Sequence, residues 1–218
     1  MKRANLVRLK LLILLGGIFL VLPWQTGLAD NLHYDAGVTS DYVWRGLTQT
    51  RGKPAVQAGV EMVTAGNWYF GGWISNTQHE AYDYGSAEID LYVGKTGQSD
   101  SFGYDLGFIN YQYPAYSGSD FTEMYFALMT DMFMFKYSDS TDVGIYMEVN
   151  ITYEVSKQRE SKVILHFGNY DRRGRAKDYF DMSVTYYIKK LSLSLSKASV
   201  DSEQDKDLKA YVRWNESF

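Results

Sequence analysis

Charged side chains at the polar positions of an alternating pattern are the residues of this chain best suited to chemistry. Ten of them are acidic and five are basic. Where such side chains surround water, rings of one charge sign set the preference for cations or anions. The excess of acids therefore predicts an interior with mild cation preference. The predicted lining residues are Asp41, Arg45, Glu61, Glu88, Asp90, Asp105, Glu123, Lys136, Glu148, Asn150, Glu154, Asp181 and Arg213.

The same charges have a second interpretation, in which acids and bases pair across neighbouring strands and brace an interior too narrow for free flow. Arg45 belongs to both interpretations, because it lies between Trp44 and Gly46 at the outer end of the first predicted strand. From there it can reach acids such as Asp41 or Glu61 and narrow the mouth. The alternative is an ordinary interfacial arginine.

Little in the sequence points to catalysis or to a metal. The three histidines show no HExxH motif or comparable metal-binding spacing. No GxSxG turn is present, and the alternate serines from Ser192 to Ser196 are better explained as small interior residues. We therefore predict no catalytic residues, no bound metal and no cofactor.

The final stretch, from Leu208 to Phe218, alternates apolar with polar side chains, as a strand with one dry and one wet face does. It resembles a closing strand that pairs with the first. Twelve such segments are predicted, and an even count returns both termini to one side. They span about 34–45, 54–64, 68–74, 87–96, 102–112, 121–129, 133–137, 145–155, 162–169, 179–188, 191–199 and 208–218.

Long and short connections alternate between these segments. The odd-numbered connections hold 7 to 12 residues and the even-numbered ones 2 to 6. Outer-membrane barrels have short periplasmic turns and longer outer loops, and aromatic rings gather at both headgroup levels. Two girdles are predicted, although strands also favour aromatics in general. The periplasmic girdle contains Trp68, Tyr104, Phe133, Tyr153, Tyr186 and Phe218, and the outer one Trp44 and Phe180.

Alternation alone also suits a soluble sandwich or lipocalin, which turns its apolar residues inward. Twelve strands in one barrel enclose more space than an eight-stranded barrel fills, so an apolar lining would leave a dry void. Apolar residues toward lipid and polar residues inside satisfy every backbone group without an edge. The predicted fold is an all-β, transmembrane, antiparallel up-and-down barrel of about 12 strands, with a soluble two-sheet fold as the alternative.

The N-terminus is predicted to be a secretory signal peptide, residues 1–29. Four basic residues precede an apolar run from Leu11 to Leu22, and small residues occupy the cleavage positions at Gly27 and Ala29. Its removal takes four of the 22 basic residues and leaves 18 against 26 acids, a net charge of −8. That charge argues against nucleic acid as a partner. Residues 30–218 contain no cysteine and no linker, and we predict one barrel domain.

Specific motifs run from about Ala36 to Leu128. They are DYVWRGLTQT (41–50), GKPAVQAGV (52–60), WYFGGWISN (68–76), EIDLYVGKTG (88–97), FGYDLGFINYQYP (102–114) and FTEMYFAL (121–128). In these motifs the chain resembles the TorF-like porin family of Gram-negative bacteria. Beyond them the resemblance rests on pattern and on the terminal Ser-Phe. It implies an outer-membrane barrel and a passive pore, and it supplies no catalytic residues.

The expected function is passive diffusion of small hydrophilic solutes across the outer membrane. Expected partners are membrane lipid, lipopolysaccharide phosphates contacted by the basic loop Arg172–Arg175, and the barrel-assembly machinery, which would bind the C-terminal strand ending at Phe218. A barrel plugged by its own side chains would instead be a scaffold or adhesin. A soluble periplasmic β-protein is the remaining alternative.

Overall fold

The computed structural model describes residues 32–78, 85–116, 118–174 and 177–218. They form a closed antiparallel barrel and one small separate hairpin. The predicted signal peptide, residues 1–29, lies outside the described residues. Within these ranges, no helix is long and apolar enough to cross a bilayer.

The barrel has twelve strands that neighbour one another in chain order. They are β1 (Leu32–Thr39), β4 (Ala55–Val63), β5 (Trp68–Thr77), β6 (Ser86–Gln98), β7 (Gly103–Gln112), β8 (Phe121–Met129), β9 (Phe133–Ser140), β10 (Gly144–Ser156), β11 (Ser161–Arg172), β12 (Tyr179–Ile188), β13 (Leu191–Ala198) and β14 (Lys209–Ser217). The hairpin consists of β2 (Val43–Trp44) and β3 (Leu47–Thr48). Each predicted segment overlaps one barrel strand, which confirms the predicted strand count.

The barrel closes where β14 pairs with β1, from Asp35 opposite Ser217 to Thr39 opposite Arg213. The start of β1 and the end of β14 therefore lie together, at the end of the barrel that carries the short turns. The alternating C-terminal stretch thus forms the closing strand, as the sequence predicted.

The two faces of the wall differ as the alternation predicts. On β10, Val149 is 37% exposed, whereas its neighbours Glu148 and Asn150 are 9% and 4% exposed. On β13, Leu193 is 54% exposed and Ser194 is buried. Apolar side chains therefore face outward, and polar side chains face the interior. This arrangement contradicts the alternative of a two-sheet fold with a dry apolar centre.

Several predicted boundaries are displaced by a few residues, and two of the differences change a connection between strands. The first strand ends at Thr39 and not at residue 45, because the Thr39 hydroxyl donates to the Asp41 carbonyl oxygen (2.7 Å) and the chain turns away from the wall. The connection between β9 and β10 is short, because Ser138 and Ser140 still pair with β10. Short and long connections therefore overlap in length at this one place.

The aromatic residues predicted for the girdles lie on the outer surface, with one exception. Trp68, Phe133, Tyr153, Phe180 and Phe218 are all exposed. Trp44 is the exception, because it belongs to the hairpin and packs against interior rings. The predicted outer girdle therefore loses Trp44.

Candidate functional site

Most of the predicted lining residues lie inside the barrel. Those buried are Asp41, Glu88, Asp90, Asp105, Glu123, Lys136, Glu148, Asn150 and Asp181. The Arg45 side chain is 6% exposed, and Glu61 and Arg213 are partly buried. Glu154 differs, because it is exposed near the short turn after β10 and lies 3.9 Å from Lys157.

Residues 40–54, which we call the inner segment, fold into the lumen between β1 and β4. The segment contains the β2–β3 hairpin, and Tyr42 joins the buried interior cluster. Two left-handed turns shape it, at Arg45–Gly46 (φ 47° and 77°) and at Arg51–Gly52 (φ 57° and 71°). Glycine adopts positive φ without steric cost, which explains why a glycine follows each arginine.

Arg45 carries the central contact of the inner segment. Its two terminal nitrogens donate to the two carboxylate oxygens of Glu123 at 2.7 and 2.8 Å. The side chains are 6% and 1% exposed, so the pair is a buried bidentate ion pair of the kind that fixes orientation. The sequence predicted Asp41 or Glu61 as the partner of Arg45. That prediction is wrong, because the inward fold carries Arg45 across the lumen to β8.

Aromatic rings enclose the Arg45 guanidinium. Its carbon lies 4.2 Å from the ring centre of Trp44, 4.1 Å from Tyr146 and 4.9 Å from Tyr170. Burial by itself lowers the pKa of Arg45, but the charge and hydrogen bonds of Glu123 outweigh it and raise the pKa above its ordinary value. Arg45 therefore remains a cation at any physiological pH, held by cation–π contacts and one carboxylate.

Further hydrogen bonds anchor the inner segment to other parts of the wall. The Thr48 backbone N–H donates to the Asp205 carboxylate (2.9 Å), which lies in the connection between β13 and β14. The Tyr179 hydroxyl on β12 donates to the Arg45 carbonyl oxygen (3.0 Å). Within the segment, the Thr48 and Thr50 hydroxyls donate to the Asp41 carboxylate. Asp41 thus organises the segment and does not line an open lumen.

His166 lies in a second buried polar cluster, which is separate from the Arg45–Glu123 ion pair. Its Nε2 lies 2.9 Å from Asp181, and its Nδ1 lies 2.8 Å from the Asn150 amide oxygen and 3.4 Å from Glu148. The Asn150 amide nitrogen donates to Glu148 (3.2 Å), which fixes the orientation of that amide. Both ring nitrogens therefore face acceptors, which the doubly protonated imidazolium satisfies. Among the described residues, no group of three or more histidine, cysteine, aspartate or glutamate side chains is arranged to hold a metal.

The interior charges are distributed unevenly around the barrel. From β4 to β8, every inward-facing charged side chain among the described residues is acidic. Lys95, the one basic residue of these strands, lies outside, over the exposed Trp68 ring at 5.2 Å. Interior bases occur on the opposite arc, for example Lys136 on β9 and Arg213 on β14. The five acids of the β4–β8 arc are Glu61, Glu88, Asp90, Asp105 and Glu123.

Tyrosines fill much of the remaining interior, which the sequence reasoning missed. They lie flat against the wall, each over a glycine of an adjacent or nearby strand. The pairs are Tyr92 on Gly71, Tyr69 on Gly94, Tyr125 on Gly107 and Tyr146 on Gly168. The available signal is a tyrosine on the polar face of a strand, such as Tyr92 or Tyr146, whereas the girdle pattern concerns only aromatics on the apolar face.

A vestibule of about 700 Å³ lies above the inner segment at the long-loop end. The inner segment supplies Leu47 and Thr48 to its lining, and the loops supply residues such as Tyr113 and Asp205. The inner segment therefore forms the boundary between the outer water and the buried interior.

The basic loop proposed to meet lipopolysaccharide lies at this same end. Arg172 lines the vestibule, and its Nε donates to the Lys177 carbonyl oxygen (2.7 Å). Arg173 pairs with Asp139 on β9 at 2.8 Å. Arg175 lies outside the described residues. Intramolecular partners thus already engage two of these arginines.

Comparisons with known proteins give a family and a fold. The model of a family described as "Bacterial protein of unknown function (Gcw_chp)" matches residues 29–218. No curated protein matches the chain. Among solved structures, "KdgM porin" is similar at 10% identity over 86% of this chain and 97% of that chain, with a TM-score of 0.55. "KdgM porin in complex with disordered oligogalacturonate" has the same identity and coverage and a TM-score of 0.51. At this identity the likeness concerns the fold alone.

Proposed function

The chain belongs to the bacterial family Gcw_chp, and on that premise we propose that it is an outer-membrane barrel of the porin type through which small hydrophilic solutes diffuse passively. The supporting observation is the closed twelve-stranded barrel with an apolar exterior and a polar interior. Lipid outside and water inside satisfy both faces of such a wall. The resemblance of the motifs between Ala36 and Leu128 to the TorF-like porins is in keeping with the same proposal.

The pathway that we propose is narrow and prefers cations. The inner segment crosses the lumen, and Arg45 and Glu123 neutralise each other there. The other acids of the β4–β8 arc have no basic partner on their own strands, for example Glu88 and Asp90. A permeating cation would therefore meet a favourable potential along this arc. The proposed lining residues are those predicted from the sequence, apart from Asp41 and Glu154.

We propose the outer membrane as the location of the chain. The outward apolar face would contact lipid, and the strand ending at Phe218 would be read by the barrel-assembly machinery. Basic residues at the long-loop end, such as the exposed Arg173, would exchange their intramolecular partners for lipopolysaccharide phosphates. Fractionation of membranes tests the location: extraction from the outer membrane only by detergent supports it, and recovery in a detergent-free periplasmic wash contradicts it.

Liposome swelling tests the proposed transport. The purified protein, with folding checked by its heat-modifiable migration, would be reconstituted and challenged with sugars, amino acids and small amines. We expect swelling that falls steeply with solute size and is fastest for amines. Heat-denatured protein serves as the control. Folded protein that gives no swelling with any solute would refute the proposal.

One observation favours a second candidate, a barrel plugged by its own side chains and used as a scaffold or adhesin. Interior residues at the level of the inner segment are nearly inaccessible, with Glu123 and Ser138 at 1% and 0% exposure. The swelling assay separates the two candidates, because a permanent plug predicts no swelling even for the smallest solutes.

A further inference from the structure

We propose that the inner segment is a displaceable plug, which leaves the lumen as one unit while the barrel wall stays unchanged. The proposal extends the proposed function, since displacement would open the solute path. Three features support it: the pairing of the residues that flank the segment, the contacts that hold the segment in the lumen, and the buried wall beside it.

The ends of the segment allow it to leave without damage to the barrel. The preceding residue, Thr39, and the following residue, Ala55, are direct partners in the β1–β4 ladder. The segment is thus a long loop between two paired positions, and its only ladder joins β2 to β3. Its departure would preserve every pairing between barrel strands.

The segment is held by aromatic packing of Tyr42 and Trp44 and by separable polar anchors, and not by a continuous ladder. The polar anchors include the Arg45–Glu123 ion pair, the hydrogen bond from Thr48 to Asp205, and the bond from the Gln78 backbone N–H to the Gln49 carbonyl oxygen (2.8 Å). Each has polar groups on both sides that water can satisfy after separation. Loss of any one anchor should therefore favour the displaced form.

The wall beside the segment offers a reporter position, because one of its buried residues neighbours a ring that Arg45 contacts. Ser138 on β9 is 0% exposed, and its hydroxyl has no hydrogen-bond partner within the part of the chain that the structure describes. Its cross-strand neighbours are Tyr125 and Tyr146, and the Tyr146 ring lies 4.1 Å from the Arg45 guanidinium. Because the chain contains no cysteine, a single Ser138→Cys substitution would give a unique, nearly isosteric thiol.

The test measures how fast a charged, water-soluble methanethiosulfonate reagent modifies this thiol in detergent-solubilised, folded protein. Ser119→Cys, in an exposed loop, gives the rate for an uncovered thiol. Asp205→Ala, distant in sequence from the reporter, removes the anchor to Thr48. Asp201→Ala, in the same connection but paired only at the surface with Lys177, is the matched control.

We expect the position-138 thiol to react far more slowly than the position-119 thiol. Asp205→Ala should accelerate it by about tenfold or more, as loss of a hydrogen bond to a charged group implies, while Asp201→Ala leaves the rate unchanged. Glu123→Gln provides a second anchor variant should Asp205→Ala fail to fold, and it should accelerate the reaction likewise.

Two results would overturn the displaceable plug. The first is a position-138 thiol that reacts as fast as the exposed control, which would mean that the segment does not cover it. The second is a rate that folded anchor variants leave unchanged. Thiol labelling requires no transport, so its result is independent of liposome swelling. The labelling rates can contradict the displaceable plug while swelling supports the channel. Likewise, the labelling rates can support the plug while swelling contradicts the channel.

Discussion

At the residue scale, Arg45 is the side chain on which the interior converges. It joins the inner segment to β8 through Glu123 and contacts rings from β10 and β11. The sequence singled out Arg45 as a constriction but misplaced its partner. The reason is physical: alternation reports which face of a strand a residue occupies, and Arg45 lies on a turn.

Replacement of Arg45 by alanine tests this role. The guanidinium lies inside the barrel among side chains of β8, β10 and β11, so Arg45→Ala should raise single-channel conductance in planar bilayers. It also leaves Glu123 buried without its cation, which costs about 3–5 kcal/mol of stability. Arg51→Ala is the matched control, because Arg51 has the same left-handed conformation before a glycine but is exposed. Equal currents for Arg45→Ala and the parent protein would contradict the constriction.

The tyrosine–glycine contacts give a second test at this scale. A Cβ at Gly107 would lie 2.5 Å from the Tyr125 hydroxyl and 2.8 Å from the Val93 carbonyl oxygen. Gly107→Ala should therefore destabilise the barrel by about 1–3 kcal/mol, as other overpacked interiors do. Gly72→Ala is the control, because its Cβ would meet only Leu91 at 3.4 Å and the Asp90 carbonyl oxygen at 3.6 Å. Urea unfolding in detergent would measure both, and equal midpoints would argue against tight interior packing.

At the element scale, the strands were predictable and the inner segment was not. A strand with one lipid-like and one wet face alternates visibly over eight or more residues, as β10 and β13 do. The inner segment continues the apolar–polar alternation of β1 for several residues, so the pattern alone extends the strand to residue 45. Gly46 and Gly52, each after an arginine, were the available sign of turns.

Removal of the inner segment tests its effect on permeation. Because Thr39 and Ala55 are paired, residues 40–54 can be replaced by an Asn-Gly turn, which suits a two-residue hairpin. We expect a folded barrel that admits larger sugars in liposome swelling than the parent protein does. An unchanged size limit in a variant that still shows heat-modifiable migration would show that the segment does not limit flow.

At the scale of the whole molecule, the fold followed from sequence because a single physical rule governs the wall. The alternation of exposed apolar with buried polar residues recurs around the closed barrel, so single exceptions such as the buried Ile109 and Met134 do not alter the architecture. The filling of the lumen was not predictable in the same way. It depends on contacts between residues distant in the chain, such as Thr48 with Asp205, which periodicity does not encode.

The uneven charge distribution predicts ion preference for the whole barrel. Under a potassium chloride gradient, the reversal potential should show preference for potassium, because the inward-facing charges of the β4–β8 arc are all acidic among the described residues. Neutralising Glu88→Gln and Asp90→Asn together should weaken that preference. Lys157→Ala, at an exposed turn, is the control. A reversal potential of anion-selective sign would contradict the predicted preference.

The most direct measurement is planar-bilayer recording of the purified, folded parent protein. We predict discrete current steps of small amplitude, because the wall encloses a polar interior that the inner segment narrows. Folded barrels that insert and yet carry no current at any potential, while a general porin conducts under the same conditions, would contradict it.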